Sequence, residues 1–138
     1  MTRTLALLCD MTIVTWLMLL AASLMRVRAW TPRGMGLAVG NRDNLPEASP
    51  LAARTDRAAR NTLENLVFFA ALVLTAHAAG VDNAQVLLGA QVFLWARIVY
   101  LAVYMAGIPV LRTLVWAVSL VGLGMIFVEI FKVAPGAV

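Results

Sequence analysis

One cysteine, Cys9, in 138 residues leaves no partner for an internal disulfide, so the fold must stand on packing alone. Charge is also scarce. Asp, Glu, Lys and Arg make up 13% of the chain, about half the share in a soluble domain. With 62% hydrophobic residues and a mean hydropathy of +0.88, a water-soluble globule of this size could not hide its apolar side chains. No strand-like alternation, internal repeat or low-complexity tract is present, and disordered, collagenous and disulfide-rich classes are excluded. Gly34-Met35-Gly36 follows no strand and is therefore no nucleotide fingerprint. The lone His77 has no Cys, His or carboxylate neighbour at ligand spacing, so no metal is expected. The arginines have no base-stacking aromatics interleaved among them, which argues against nucleic acid. A single-domain integral membrane protein remains.

Four long apolar runs are present instead. They place helices at about 4–28, 51–79, 84–106 and 109–131, with a connection at about 29–50, and a spanning helix needs about 20 such residues. The expected fold is therefore an all-α integral membrane four-helix bundle. Thr31-Pro32-Arg33-Gly34 ends the first helix, and Pro46 and Pro50 bracket the approach to the second. Gly80-Val81-Asp82-Asn83 is a tight turn in which Asp82 or Asn83 can cap the third helix. Gly107-Ile108-Pro109 separates the third from the fourth, with proline suited to a helix start. Ala21-Ala22-Ser23 could serve as a signal-peptidase site. The preceding apolar stretch exceeds the ~7–15 residues of a signal core, however, and arginines follow at once, so it reads as a span.

Orientation follows from the arginines. The first connection and the start of the second helix hold Arg26, Arg28, Arg33, Arg42, Arg54, Arg57 and Arg60, and Arg112 opens the fourth helix. The opposite side has only Arg3 and Lys132. Basic connections favour the cytoplasmic face, so both termini are expected on the other side, in the periplasm of a bacterial inner membrane.

Ionisable residues inside spans are candidate functional residues, because each is costly at depth. Arg97 lies deep in the third helix, followed at three and seven residues by Tyr100 and Tyr104 on the same face, with Gln91 expected nearby. Arg57, Asn61 and Glu64 recur at i, i+4 and i+7 on the second helix as a polar stripe entering the membrane from the basic side. Glu64 and Arg97 could neutralise each other, since neither charge is tolerable alone in lipid. Arg60 and Asp56 read as a wet helix face. Asp10, toward the outer end of the first helix, is either a residue reaching for the interface or the proton-coupling acid of a small exporter. Methionines and tryptophans in the spans read as core or lipid contacts.

The run from Arg54 to Asn65 resembles the signature of the MAPEG family, membrane-associated proteins of eicosanoid and glutathione metabolism. Its Arg-Ala-x-x-Asn-x-x-Glu pattern is filled by Arg57, Ala58, Asn61 and Glu64, and Arg97-x-x-Tyr100-x-x-x-Tyr104 with Gly107, Pro109 and Arg112 is similar to the family's third-helix region. The resemblance implies a homotrimer that binds glutathione as cosubstrate between subunits, at the cytoplasmic mouth. It implies glutathione contacts from Arg57, Asn61, Glu64, Tyr100 and Tyr104, with a basic contact from Arg26 or Arg28 and Arg97 at the pocket base. Arg112 would activate the thiol for attack on a lipophilic small molecule or a lipid hydroperoxide. Ala59 departs from the pattern, standing where several relatives carry His or Gln. A MAPEG-fold protein without catalysis is the alternative within the family.

Overall fold

The computed structural model describes residues 1–41 and 45–133, so Arg42 lies outside the described residues. The chain is built from α1 (Arg3–Val27), α2 (Pro32–Val39), α3 (Pro50–Ala78), α4 (Ala84–Ala106) and α5 (Pro109–Val133). Among the described residues every regular element is helical. Three helices, α1, α4 and α5, are long and apolar enough to cross a membrane. At 29 residues α3 is longer still, but its first half carries Arg54, Asp56, Arg57, Arg60 and Glu64.

Local chemistry sets the boundaries. Thr2, Thr31 and Ser49 each accept a hydrogen bond from a backbone N–H in the first turn of α1, α2 and α3. Asn83, rather than Asp82, caps α4: its Oδ1 accepts from the N–H groups of Gln85 and Val86, both at 3.0 Å. Asp82 accepts instead from Thr4 Oγ1 at 3.3 Å, tying the start of α1 to the α3–α4 turn. Gly80 and Gly107 end α3 and α4 with φ of +71° and +76°, a left-handed conformation that favours glycine. The connection after α1 differs from the expected plain loop. Arg28 closes α1 in the left-handed conformation, and Thr31-Pro32 then starts α2.

The short turns make α3, α4 and α5 antiparallel neighbours, and α1 packs beside α3 and α4. In an apolar solvent, close packing rather than water exclusion joins helices, and small residues let backbones approach. The buried stripe of α3 accordingly includes Ala52, Thr55, Ala58, Ala59 and Thr62. Ala59 packs with Met18 and Ala22 of α1. Lower in the bundle Phe69 stacks on Phe93 with ring centroids 4.4 Å apart, joining α3 to α4 inside the main core.

The most extensive contact, between α4 and α5, centres on a glycine pair. A Cβ on Gly122 would sit 2.7 Å from the Gly89 carbonyl oxygen and 2.9 Å from the Phe93 backbone nitrogen. Backbone atoms cannot yield to it. Two residues along, a Cβ on Gly124 would meet nothing within 4 Å. Gly122→Ala is therefore expected to destabilise the detergent-solubilised protein by about 1–3 kcal/mol through overpacking. Gly124→Ala should leave stability unchanged or raise it by up to about 1 kcal/mol. Thermal unfolding of the two variants side by side checks this, and equal melting points would contradict the crossing.

Candidate functional site

The end of the bundle where α1 and α4 finish and α3 and α5 begin carries the basic residues. There the polar stripe of α3 meets the tyrosine face of α4. Arg57 Nε donates to Tyr104 Oη at 3.3 Å. Tyr104 packs edge-on to Tyr100, with centroids 5.4 Å apart. From α5, the Arg112 guanidinium lies over the Tyr104 ring, 4.7 Å from its centroid. Between these side chains is a cavity of about 260 Å³ lined by Asn61, Tyr100, Tyr104, Arg112, Thr113 and Trp116. Its walls thus present a guanidinium, two phenol groups, a carboxamide and a hydroxyl.

Behind this pocket stands Arg97, fully buried at 0% exposure. It is not itself on the cavity lining but stands directly behind two residues that are, Asn61 and Tyr100. Its Nη1 donates to Asn61 Oδ1 at 2.9 Å, and its Cζ lies 5.3 Å and 5.4 Å from the Tyr100 and Phe93 ring centroids. Nε and Nη2 have no hydrogen-bond partner among the described residues. The expected pairing with Glu64 is not formed: the ion pairs among the described residues are Arg60–Asp56 and Lys132–Glu129. Glu64 is exposed on α3, at the rim of a second cavity. A guanidinium can only donate, so it takes the oxygen of Asn61 and leaves that residue's NH₂ as the group available to a ligand. Arg97 therefore acts on the pocket through two of its walls, orienting Asn61 and backing Tyr100.

The second cavity, about 650 Å³, runs along the α3–α5 face. Asn61, Glu64 and Asn65 mark its polar end, Phe68, Leu72, Leu120 and Phe127 are among its apolar walls, and it shares Asn61 and Trp116 with the small pocket. A site for an anionic, hydrogen-bonding group thus adjoins one for an apolar body. Together they fall in the usual range for ligand pockets, roughly 300–1,000 Å³.

Other candidates are placed elsewhere. An Arg26 guanidinium N–H donates to the Pro46 carbonyl, and Arg28 is the exposed cap of α1; neither lines the pocket. Arg54 donates from Nε to the Met105 carbonyl at 3.1 Å, neutralising the C-terminal end of α4. Gln91 is not on the Arg97 face. Six residues apart on a helix is well off the same side, and Gln91 instead lines an outward α4–α5 groove with Leu88 and Trp95. Asp10 and Cys9 are exposed on the outward face of α1. Ala59 faces α1, so a polar residue missing there takes nothing from this chain's own pocket. Asp56 is held by Arg60 at 2.9 Å. Trp116, read from sequence as core or lipid contact, is a pocket residue, and its place one turn after Arg112 was the available signal.

The MAPEG family model matches residues 5–132, nearly the whole chain, which makes this an integral membrane protein of that kind. No curated protein and no solved structure matches. Two substitutions test the role given to Asn61. Asn61→Asp keeps an acceptor for Arg97 and supplies the missing counter-charge, so melting temperature should hold or rise. It also turns the pocket-facing NH₂ into an oxygen, so affinity for an anionic ligand should fall on the order of tenfold or more, the scale of a lost charge-assisted hydrogen bond. Arg97→Met should likewise spare stability, because a buried unpaired charge is replaced by an apolar chain of similar length. Unfolding and ligand titration of both variants read these separately.

Proposed function

The chain belongs to the MAPEG family, and from that premise we propose that it is a membrane glutathione transferase or peroxidase. It would bind glutathione as cosubstrate and activate its thiol against lipophilic electrophiles or lipid hydroperoxides. One observation carries the reading: the pocket lined by Tyr104 and Arg112, with Arg57 on the Tyr104 hydroxyl, opens beside an apolar cleft large enough for a lipophilic molecule.

Glutathione carries two carboxylates and one ammonium, and the residue set is complementary to it. Arg57 and the Asn61 NH₂ suit a carboxylate, while Glu64 suits the ammonium. Tyr100 and Tyr104 offer hydroxyls beside them. Arg112 is the candidate activator. A thiol of ordinary pKa ~8.5 becomes a nucleophile at neutral pH when a guanidinium stabilises its thiolate. The thiolate would attack the electrophile in the α3–α5 cleft, forming a sulfur–carbon bond as the leaving group departs. With a hydroperoxide the products would be an alcohol, water and, through a second glutathione, the disulfide. Neither Arg26, whose guanidinium holds a loop carbonyl, nor the exposed Arg28 lines this chain's own pocket.

The same premise supports the assembly and orientation. All four long helices would span a bacterial inner membrane, with the polar half of α3 lining the cytoplasmic mouth and both termini periplasmic. A homotrimer would close the open flank of the cleft with a neighbouring subunit.

Glutathione titration of the purified protein, followed by the ultraviolet absorbance of bound thiolate at neutral pH, tests the proposal. The wild type should give a saturable thiolate signal. Arg57→Ala should weaken binding on the order of tenfold, the scale of a charged hydrogen bond. Arg112→Ala should retain binding and lose the thiolate signal. Binding without thiolate in the wild type would leave a binding protein without this chemistry, and no binding would sink the glutathione reading.

A further inference from the structure

The segment after α1 has no place in the chemistry above, yet it is built as a defined element. We propose that α2 and its flanking residues form a plate on the membrane surface that binds the head groups of anionic phospholipids. The 25 residues of α1 rise roughly 37 Å at 1.5 Å each, more than the ~30 Å of a hydrocarbon core. With α1 centred in the core, the chain from Arg28 onward would stand at head-group level.

At that level α2 is pinned. A Cβ on Gly34 would fall 2.0 Å from the Arg28 carbonyl oxygen and 2.4 Å from that of Val27. The helix therefore lies directly on the closing turn of α1, with no room for a side chain between them. Its Thr31 cap holds both sides of the corner, donating from Oγ1 to the Arg28 carbonyl at 2.9 Å and accepting from the Gly34 N–H at 3.0 Å. The face left outside carries Trp30, Met35 and Val39, exposed by 70%, 53% and 84%. In water these would be an unsatisfied apolar patch. At the membrane boundary a tryptophan is in its preferred place, and two aliphatic side chains one turn apart can enter the acyl region.

Charge selects the lipid. Arg28 and Arg33 are exposed within the same segment. Both ion pairs among the described residues involve other side chains. A guanidinium fork matches a phosphate oxygen pair, and arginines near a surface favour anionic over zwitterionic lipid. The rigid attachment to α1 matters here, because an eight-residue amphipathic helix would bind a surface only weakly by itself.

The test uses the full chain in two settings, and neither depends on glutathione binding. In bilayer discs, the fluorescence difference between wild type and Trp30→Phe isolates Trp30 from the other three tryptophans. That difference signal should be quenched by lipid brominated near the head group and protected from aqueous acrylamide. In detergent, phosphatidylglycerol bound to the protein should exceed phosphatidylcholine and decline as salt is raised. Its affinity should fall on the order of tenfold or more in the Arg28→Gln/Arg33→Gln double variant. Acrylamide quenching without bromine quenching would mean that α2 faces water and would overturn the proposal. Protection from both would mean that a second copy covers the patch, and would overturn it equally. Should the double variant not fold, salt-insensitive or headgroup-indifferent binding by the wild type would be just as fatal.

Discussion

Arg97 is sealed among apolar side chains with a carboxamide and two aromatic rings for company and, among the described residues, no acid paired with it. A lone guanidinium in such a place is unfavourable by several kcal/mol unless neighbours turn toward it, and those neighbours define the site. Asn61 turns its oxygen inward and so joins α3 to α4. Tyr100 lies against the guanidinium and fixes the wall from which Tyr104 is reached. Tyr104 in turn receives Arg57 from α3 and Arg112 from α5. One buried cation thus organises polar contacts from three helices, and the pocket is the space they enclose.

Around that centre the bundle divides by chemistry along its length. At one end the arginines cap helix ends, line the pocket or stand exposed on the surface segment. At the other, short side chains tie connections together: Thr4 to Asp82, and Asn83 to Glu129, which also accepts from Lys132. The middle is apolar and held by shape, through the Phe69–Phe93 stack and the Gly89–Gly122 approach. This division suits a molecule that handles a charged group at the membrane boundary and an apolar one inside it.

Much of this is legible in the residues because the membrane makes charge informative. Arg57, Asn61, Tyr104 and Arg112 stand out by their spacing and their cost in lipid, and the structure brings them together. Pairing is less legible. Periodicity puts Glu64 and Arg97 on facing helices, yet it does not say that Asn61, one turn earlier, reaches the guanidinium first. Gln91 falls outside the group because six residues come well short of two whole turns. Arg54 resembles one more anion-binding cation until the end of α4 is seen to need a donor. Trp116 is hidden by its type, since tryptophan in an apolar helix has many commoner uses. The corner at Gly34 depends on a contact between backbone atoms, which no side-chain pattern announces.

The uneven burial of α5 has a mechanical consequence. Its buried residues are Ser119, Gly122, Leu123 and Ile126, and the stretch that precedes them is open to cavities on both flanks, with Val115 and Val118 on one and Trp116 on the other. The helix is thus a lever with its fulcrum at the glycine crossing. Arg112 lies ten residues from Gly122, an arm of roughly 15 Å. One degree of tilt at the fulcrum displaces the guanidinium by roughly a quarter of an ångström at that arm length. The position of the group nearest the proposed chemistry is therefore governed by how tightly two glycines meet, roughly 15 Å away along the helix.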